Sequence, residues 1–360
     1  MSLIGSLRST FSPDLGIDLG TANTVVYEYG NGVIVSEPSV VAYRTSDDAI
    51  IAIGTAAKEL DGRAPGRVRV VRPLRGGTIS DFRGAHALIE TLVERALQSR
   101  PKIAPRIIAS VPGCATDIEC KAVEEAIRAA GPRTTCFVPQ AVAAAVGAGL
   151  DITETRGRMV VDIGGGTTEI AVLSLAGIVG LHSIKIGGDT FDAAIAARLR
   201  NERFMIGPLT AERLKLERGY AGRAPGRGPI AAAGSDTMRP VRRMIDEELI
   251  GAAMADGIDK IARACWSILE QTPPDLAADL LETGITLTGG GALIPGLAGE
   301  LAARTNVPTT VADDPLMCVA RGAGLILASP SMLERLRPQA DRLTRWYQSL
   351  RIGMRESYSR

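Results

Sequence analysis

The sequence predicts an α/β fold of two related lobes, each with a mixed β-sheet and flanking helices. A turn rich in glycine and threonine occurs at residues 18–24 and again at residues 162–169, each time between two β-like apolar runs. The order of predicted strands and helices in the first half of the chain is repeated in the second half. The chain has 360 residues, more than one hydrophobic core usually holds, and 46% of them are apolar.

The first half of the chain is predicted to begin with successive strands across residues 14–44, because turn signals at Gly20 and at residues 30–32 separate its apolar runs. Apolar residues at helical spacing then indicate a helix over 84–98. The elements predicted after it are a strand over 107–111 and helices over 116–130 and 140–149.

The second half is predicted to repeat this order. Segment 222–240 starts with many glycines and prolines, so we predict a mobile surface loop there. The elements predicted around it are strands within 158–187, helices over 189–204, 210–220 and 246–271, and a buried strand over 285–287.

Composition narrows the function classes. The net charge of +1 provides no basic field, so we expect no nucleic-acid partner. Five cysteines without close paired spacing and only two histidines argue against a zinc site. No run reaches the roughly 20 apolar residues of a membrane span, and the N-terminus lacks the apolar core of a secretion signal. We therefore expect a cytoplasmic protein.

The two turns are suited to hold one polyphosphate from both sides. Their glycines let backbone N–H groups approach phosphate oxygens, and threonine and asparagine side chains add donors. Asp18 and Asp162 stand at the strand ends before the turns, where each could hold a hydrated Mg²⁺. A Walker loop needs lysine and then serine or threonine after its last glycine, followed by a helix, and a dinucleotide fingerprint needs a helix after its glycines. Both turns here are followed by a predicted strand instead, so neither motif fits. Each turn could also be a plain hairpin turn.

Several segments resemble the MreB family of bacterial actin homologues, which belongs to the superfamily of actin, sugar kinases and heat-shock ATPases. The resemblance covers residues 14–328 and includes segments that go beyond the general nucleotide pattern of the superfamily. The segments are GIDLGTANT at 16–24, EPSV at 37–40, ISDF at 79–82, AAAVGAGL at 143–150, VVDIGGGTTE at 160–169, TGGGAL at 288–293 and DPL at 314–316.

The resemblance implies an actin-like ATPase fold with Mg²⁺ and ATP in the cleft between the lobes, and monomers that stack into filaments. It places Asp18 and Asp162 near the metal. Glu212 and Lys215 could instead be a solvated pair on a helix, and the third glycine turn could be a helix entry only. The implied nucleotide-binding residues are Gly20, Thr21, Ala22, Asn23, Gly164, Gly165, Gly166, Thr167, Glu212, Lys215, Gly289, Gly290 and Gly291.

The position that orients the attacking water corresponds to Gln140, where most family members carry glutamate followed by proline. A glutamine is no strong base, but it can hold a water by donating and accepting hydrogen bonds. We therefore predict slow ATP hydrolysis, with Gln140, Thr167 and Asp162 as the catalytic set. Alternatively, Gln140 only caps the helix that follows Pro139.

The order of the motifs also predicts a domain organisation. Lobe I is predicted over 1–154 and lobe II over 155–311, and the chain is predicted to return to lobe I over 312–330. The arginine-rich tail over 331–360 could bind lipid headgroups, bind a partner protein or fold back on lobe I. The predicted small subdomains lie at 42–74 in lobe I and 191–257 in lobe II.

The N-terminus is predicted as an interfacial membrane anchor, because its apolar residues lie at helical spacing on one face. It could equally be a disordered start that packs on the body. A second membrane element of the family, the loop before the strand at 107–111, offers only Ile103 here. The residues of the apolar face are Leu3, Ile4, Leu7 and Phe11.

The resemblance therefore implies an ATP-dependent filament that organises cell-wall synthesis and rod shape at the inner face of the cytoplasmic membrane. Its expected partners are other copies of the chain and membrane-spanning cell-wall elongation proteins. Two alternatives stay open, a nucleotide-binding assembly adaptor without turnover and a small-molecule kinase of the same superfamily.

Overall fold

The computed structural model describes residues 13–63, 66–97, 104–113, 115–236 and 239–336. In chain order the strands are β1 (Asp14–Leu19), β2 (Asn23–Glu28), β3 (Gly32–Pro38), β4 (Val41–Arg44), β5 (Ile50–Ile53), β6 (Val68–Val71), β7 (Leu74–Arg75), β8 (Thr78–Ile79), β9 (Arg106–Val111), β10 (Thr134–Pro139), β11 (Arg158–Ile163), β12 (Thr168–Ser174), β13 (Gly177–Ile184), β14 (Ile230–Asp236), β15 (Arg239–Ile245), β16 (Ile285–Thr288) and β17 (Thr309–Val311). The α-helices are α1 (Thr55–Lys58), α2 (Phe82–Leu97), α3 (Asp117–Ala129), α4 (Gln140–Gly147), α5 (Gly188–Asn201), α6 (Pro208–Arg218), α7 (Glu247–Gln271), α8 (Pro274–Thr283), α9 (Leu297–Thr305) and α10 (Cys318–Ala328).

Two five-stranded sheets with the same topology form the centres of the two lobes. The strand order is β10-β9-β1-β2-β3 in the first sheet and β17-β16-β11-β12-β13 in the second. In each sheet three consecutive strands pair antiparallel, one later strand pairs in parallel with the first of them, and a further strand pairs in parallel with that later strand. This equivalence confirms the prediction of two related lobes with mixed sheets.

The central strands carry apolar residues on both faces because helices cover both sides of each sheet. Leu15 of β1 and Val160 of β11 are both fully buried. On the second sheet, α7 contributes the apolar stripe that the sequence pattern predicts. The residues of this stripe, all buried, include Ile250, Met254, Ile258, Ile261 and Ile268.

Among the described residues, three smaller sheets accompany the large ones, and one of them is the short pair of β7 and β8. In the first half β4 pairs with β5 and β6, and in the second half β14 and β15 form a hairpin. The prediction of a mobile loop over 222–240 was therefore wrong for its second half, because Ile230 and Ala232 of β14 pack into the core of the second lobe. The first half is also held in place, since Arg227 Nε donates to the buried Glu247 carboxylate at 2.8 Å.

Helices α4 and α10 cross each other within a core that includes residues of both large sheets. A Cβ added at Gly147 of α4 would lie 1.7 Å from the Cys318 carbonyl oxygen, and one at Gly322 of α10 would lie 1.8 Å from the Ala143 carbonyl oxygen. Only glycine permits this approach of the two backbones. The crossing fixes α4, whose first residue is Gln140, relative to both lobes.

Within the described ranges, no individual helix is both long and apolar enough to cross a membrane. One pair of helical segments meets the requirement by length and composition alone. The pair consists of Pro315–Ala328 and Pro330–Leu336, and the chain bends by 104° between them.

Candidate functional site

One cavity of about 470 Å³ is lined by residues of both lobes. The turns β1–β2 and β11–β12 border it, and the start of α4, one side of α6 and the turn after β16 also belong to the lining. Every residue predicted to bind nucleotide or metal or to act in catalysis lies along this cavity, although the binding and catalytic roles stay predictions. These residues are Asp18, Gly20, Thr21, Ala22, Asn23, Gln140, Asp162, Gly164, Gly165, Gly166, Thr167, Glu212, Lys215, Gly289, Gly290 and Gly291.

The two glycine turns touch each other at the cavity. A Cβ added at Gly165 would lie 2.7 Å from the Ala22 Cβ, and one at Gly166 would lie 2.7 Å from the Thr21 hydroxyl oxygen. A larger residue at either position would push the turns apart. Because both turns consist largely of small residues, their backbone N–H groups are accessible to an anion between them.

Two aspartates stand behind the turns; Asp162 is buried and Asp18 is partly exposed. Asp18 Oδ1 accepts a hydrogen bond from Ser110 Oγ at 3.0 Å, and Asp162 Oδ1 accepts one from Thr288 Oγ1 at 2.8 Å. Burial and the negative charge of Asp162 raise the pKa of Asp18 to about 7, against the effect of Ser110. Burial also raises the pKa of Asp162, although its hydrogen bonds oppose the shift. A cation beside this pair would relieve both shifts.

The aspartate pair fits a hydrated Mg²⁺ better than a metal held by protein ligands alone. Within the described residues, no group of three or more histidine, cysteine, aspartate or glutamate side chains could hold a metal ion. Mg²⁺ in proteins commonly keeps several waters and takes one or two carboxylates plus substrate phosphates. Asp18 and Asp162 supply that number of carboxylates beside turns suited to phosphate.

The raised pKa of Asp18 predicts a pH-dependent difference between the chain and its Asp18→Asn variant. The fold favours the neutral form of the Asp18 carboxyl. The stability that this carboxyl contributes is therefore complete below its unfolded pKa of 3.8, and it is lost as the pH rises through the folded pKa of about 7. Without Mg²⁺ and nucleotide, the variant should match the chain near pH 4 and be more stable at pH 8, by on the order of 2 kcal/mol. Thermal unfolding at both pH values measures this, and a pH-independent difference would contradict it.

Gln140 begins α4, and its side-chain amide nitrogen donates to Asp162 Oδ2 at 2.7 Å. The alternative that Gln140 caps its own helix does not agree with the structure, because the N-cap residue is Pro139 and the helix has no side-chain cap. Thr167 lies in the second turn and is 5% exposed. Gln140 and Thr167 thus both border the cavity, and Gln140 does so in contact with Asp162.

Glu212 and Lys215 of α6 both line the cavity but do not pair with each other. Glu212 Oε2 lies 2.9 Å from Lys58 Nζ of the first half of the chain, and Lys215 Nζ lies 2.9 Å from Asp192 Oδ2. Lys215 also donates to the Gly188 carbonyl oxygen at 3.1 Å. The two residues are thus part of separate ion pairs, and the solvated-pair alternative does not describe them.

The third glycine turn follows β16 and packs against β11. Gly289 has φ +77°, and a Cβ there would lie 2.4 Å from the Ile163 carbonyl oxygen, so this position requires glycine. Sequence reasoning missed three leucines that line the cavity near this turn and α6. Each of them directly follows or belongs to a recognised motif, which is the signal that could have identified it. They are Leu216, Leu293 and Leu316, which are 71%, 54% and 41% exposed.

The predicted membrane residues Leu3, Ile4, Leu7 and Phe11 lie outside the described residues, as do Ile103 and the tail after residue 336. Their predicted roles stay predictions.

Comparison with known proteins identifies the family. The model of the MreB/Mbl protein family matches residues 12–335. The chain belongs to the MreB/Mbl family. The cell shape-determining protein MreB of Escherichia coli K12 is 42% identical over 333 residues, which are 90% of this chain and 96% of that protein. The cell shape-determining protein Mbl of Bacillus subtilis 168 is 37% identical over 328 residues, which are 90% of this chain and 98% of that protein.

Solved structures of other proteins share the fold. MreB5 of Spiroplasma citri bound to ADP superimposes with a TM-score of 0.84 at 32% identity, covering 91% of this chain and 98% of that chain. The MamK double helical filament has a TM-score of 0.76 at 21% identity, covering 88% of this chain and 99% of that chain, and shows the fold alone. The predictions of an actin-like fold and of the MreB family are therefore confirmed.

Proposed function

We propose that this chain is an ATP-dependent filament protein that determines cell shape, with slow ATP hydrolysis controlling the polymer state. One observation carries the proposal: two opposed glycine turns and two aspartates meet at one cavity in a member of the MreB/Mbl family. Relatives support it, because MreB of Escherichia coli is a cell shape-determining protein and MreB5 of Spiroplasma citri has been solved with ADP and with AMPPNP.

In this proposal the triphosphate lies between the two turns, and the adenosine lies toward α6 and the third turn. The ribose and base would contact Glu212, Lys215 and the backbone of Gly289–Gly291. The three exposed leucines add an apolar surface that a planar base can cover. This assignment gives each part of the cavity a matching part of the nucleotide.

Phosphoryl transfer to water depends mainly on positioning and on charge neutralisation. When bound beside Asp18 and Asp162, Mg²⁺ would screen the charge of the terminal phosphates. Gln140 and Thr167 would orient the attacking water. Since the Gln140 amide nitrogen is held by Asp162, its carbonyl oxygen is the group that can accept a hydrogen bond from that water. A neutral amide does not take up a proton as a base, so we propose slow turnover.

We further propose that nucleotide contact with both lobes favours a closed arrangement, which defines the surfaces for self-association. Lobes over 1–154 and 155–311, with a return over 312–330, fit this proposal. Two ion pairs already join the first half of the chain to the second: Lys58 Nζ to Glu212 Oε2 at 2.9 Å and Arg72 Nη1 to Asp189 Oδ1 at 2.7 Å.

Sedimentation with and without Mg²⁺ and ATP, with phosphate release measured in parallel, tests the proposed function. We expect pelleting that depends on nucleotide, together with phosphate release slower than about 1 s⁻¹, the low end of typical enzyme turnover. Pelleting without any phosphate release would favour the alternative of an assembly adaptor without turnover. The observation that favours this alternative is the neutral amide at Gln140, which cannot act as a strong base. Turnover that requires an added small-molecule acceptor, without pelleting, would indicate a kinase and overturn the proposal.

The membrane part of the proposal rests on the apolar face at Leu3, Ile4, Leu7 and Phe11. One short amphipathic helix binds weakly, and a filament would multiply it by avidity. We expect the full chain, polymerised with ATP, to co-sediment with anionic liposomes and the chain lacking residues 2–11 to lose most of this binding, about tenfold or more. Undiminished liposome binding by the truncated chain, in its polymerised form, would refute the anchor. Membrane-spanning cell-wall proteins are proposed as further partners at this surface.

A further inference from the structure

Lys58 is a basic side chain that contacts the proposed nucleotide site without lining the cavity itself. Its Nζ atom lies 3.0 Å from Glu212 Oε1 and 2.9 Å from Glu212 Oε2, so one ammonium group contacts both oxygens of the carboxylate. Both side chains are partly buried, with 32% of Lys58 and 25% of Glu212 exposed. Water and salt therefore screen this ion pair less than the exposed pairs of the surface.

The short helix α1, which ends at Lys58, is attached to the end of β3. Glu37 Oε2 accepts hydrogen bonds from the Thr55 N–H and from Thr55 Oγ1, each at 2.7 Å. The other oxygen, Oε1, accepts one from Arg95 Nη1 of α2 at 2.8 Å. Ala57 of α1 is fully buried in a small apolar cluster. Lys58 thus extends toward the second half of the chain from a helix that is held on two sides.

The segment that holds α1 also holds the first glycine turn. It comprises residues 37–40, the EPSV motif, to which no role has been assigned so far. The Ser39 N–H donates to the Ala22 carbonyl oxygen at 2.9 Å, and Ser39 Oγ donates to the Gly20 carbonyl oxygen at 2.6 Å. Ser39 is fully buried. The motif therefore fixes the position of Lys58 relative to the turn that borders the phosphate part of the cavity.

Glu212 has the chemistry to recognise a sugar with two neighbouring hydroxyl groups. Its carboxylate lines the cavity on α6, apart from the glycine turns. An ionised carboxylate offers about four lone-pair sites, so the contact with Lys58 leaves acceptor sites for the 2′- and 3′-hydroxyls of a ribose. A free glutamate side chain loses rotamer freedom when it binds a ligand. Holding the carboxylate in place beforehand removes much of that cost.

We propose that Lys58 is a positioning residue for the sugar of the nucleotide: it holds the Glu212 carboxylate where the 2′- and 3′-hydroxyls of a ribose can donate to it. Because Lys58 belongs to the first half of the chain and Glu212 to the second, this contact forms fully only when the two lobes are closed. The site thereby favours ribonucleoside over 2′-deoxyribonucleoside triphosphates. The inference rests on the proposed binding of ATP in this cavity.

Calorimetric titrations with ATP and with 2′-deoxy-ATP, both in the presence of Mg²⁺, test this role in the parent and in two variants of Lys58. We expect the parent to bind ATP about tenfold or more tightly than 2′-deoxy-ATP, since the deoxy sugar lacks one donor to a charged acceptor. In Lys58→Met, which keeps an unbranched stem but no charge, the two affinities should differ by less than about threefold. Lys58→Arg should keep the parental ratio, because a guanidinium can contact both carboxylate oxygens.

Lys260→Met is the matched control, because it removes the same charge from an ion pair far from any assigned role. Lys260 lies on α7, and its Nζ is 2.7 Å from Asp256 Oδ2 in an exposed i, i+4 pair. Such a pair contributes little. This variant should keep the parental ratio of the two affinities.

Four results would overturn the proposal. A parental ratio in Lys58→Met would show that Lys58 does not position Glu212. Tighter ATP binding by Lys58→Met than by the parent would show that Lys58 competes with the ribose for Glu212. Equal loss of the ratio in Lys58→Arg and Lys58→Met would show that the ion pair is not what matters. A parent that binds ATP and 2′-deoxy-ATP equally would remove the sugar role but leave the proposed function intact, whereas a parent that binds neither would overturn both.

Discussion

Asp162→Asn should lower ATP turnover by about 100-fold or more and abolish nucleotide-dependent assembly. The substitution keeps the size of the side chain and an oxygen that can accept from Thr288, but it removes one of the two negative charges at the cavity. With half of that charge gone, the site would hold Mg²⁺ and the terminal phosphates poorly. It also changes the partner that holds the Gln140 amide at 2.7 Å. Phosphate release and pelleting measure the two effects.

Asp256→Asn is the control for Asp162→Asn. Asp256 lies on α7 and pairs with Lys260, with 73% of its side chain exposed, so its loss should leave turnover and assembly unchanged. Far-UV circular dichroism would establish that both variants are folded. Normal polymer growth by a folded Asp162→Asn variant would count decisively against the assigned role of the aspartate pair.

Gly322→Ala is expected to lower the melting temperature by roughly 5–10 °C, which corresponds to a loss of about 3 kcal/mol in the free energy of unfolding for a chain of this length. The added Cβ would lie 1.8 Å from the Ala143 carbonyl oxygen, so α4 and α10 must separate or shift. Because backbone rather than a flexible side chain blocks the new atom, relaxation is costly. The displaced α4 would also carry Gln140 away from Asp162, so turnover should fall with stability.

Gly299→Ala is the matched control for Gly322→Ala. Gly299 lies within α9, and a Cβ added there meets nothing within 4 Å. Since alanine is a better helix former than glycine, this variant should be as stable as the parent or up to about 1 kcal/mol more stable. A melting temperature of Gly322→Ala equal to that of Gly299→Ala would show that the helix crossing tolerates separation.

Local sequence was sufficient to predict the parts of the site that lie within single segments. Each glycine turn follows an apolar strand and precedes another, and these short-range patterns determine β1–β2 and β11–β12. The two Asp residues at the strand ends could be placed for the same reason. The repeated order of elements then predicted two lobes, and the structure confirms two sheets of equal topology.

Contacts between distant segments could not be predicted in this way. Nothing near Glu212 indicates Lys58 as its partner, and nothing near Gln140 indicates Asp162, because these contacts arise only when the two lobes pack together. The hairpin of β14 and β15 was missed because β14 consists largely of alanine, glycine and polar residues, which are poor strand formers. Packing of Ile230 and Ala232 overrides that weak local preference.

Calorimetric titration of the full chain with ATP in the presence of Mg²⁺ tests the central claim most directly. The account predicts saturable binding with one nucleotide per chain, since both glycine turns, both aspartates and the third turn border the same cavity. The same titration with Asp162→Asn should show clearly weaker binding. Folded chain that takes up neither ATP nor ADP would contradict the account, because no nucleotide could then control its assembly.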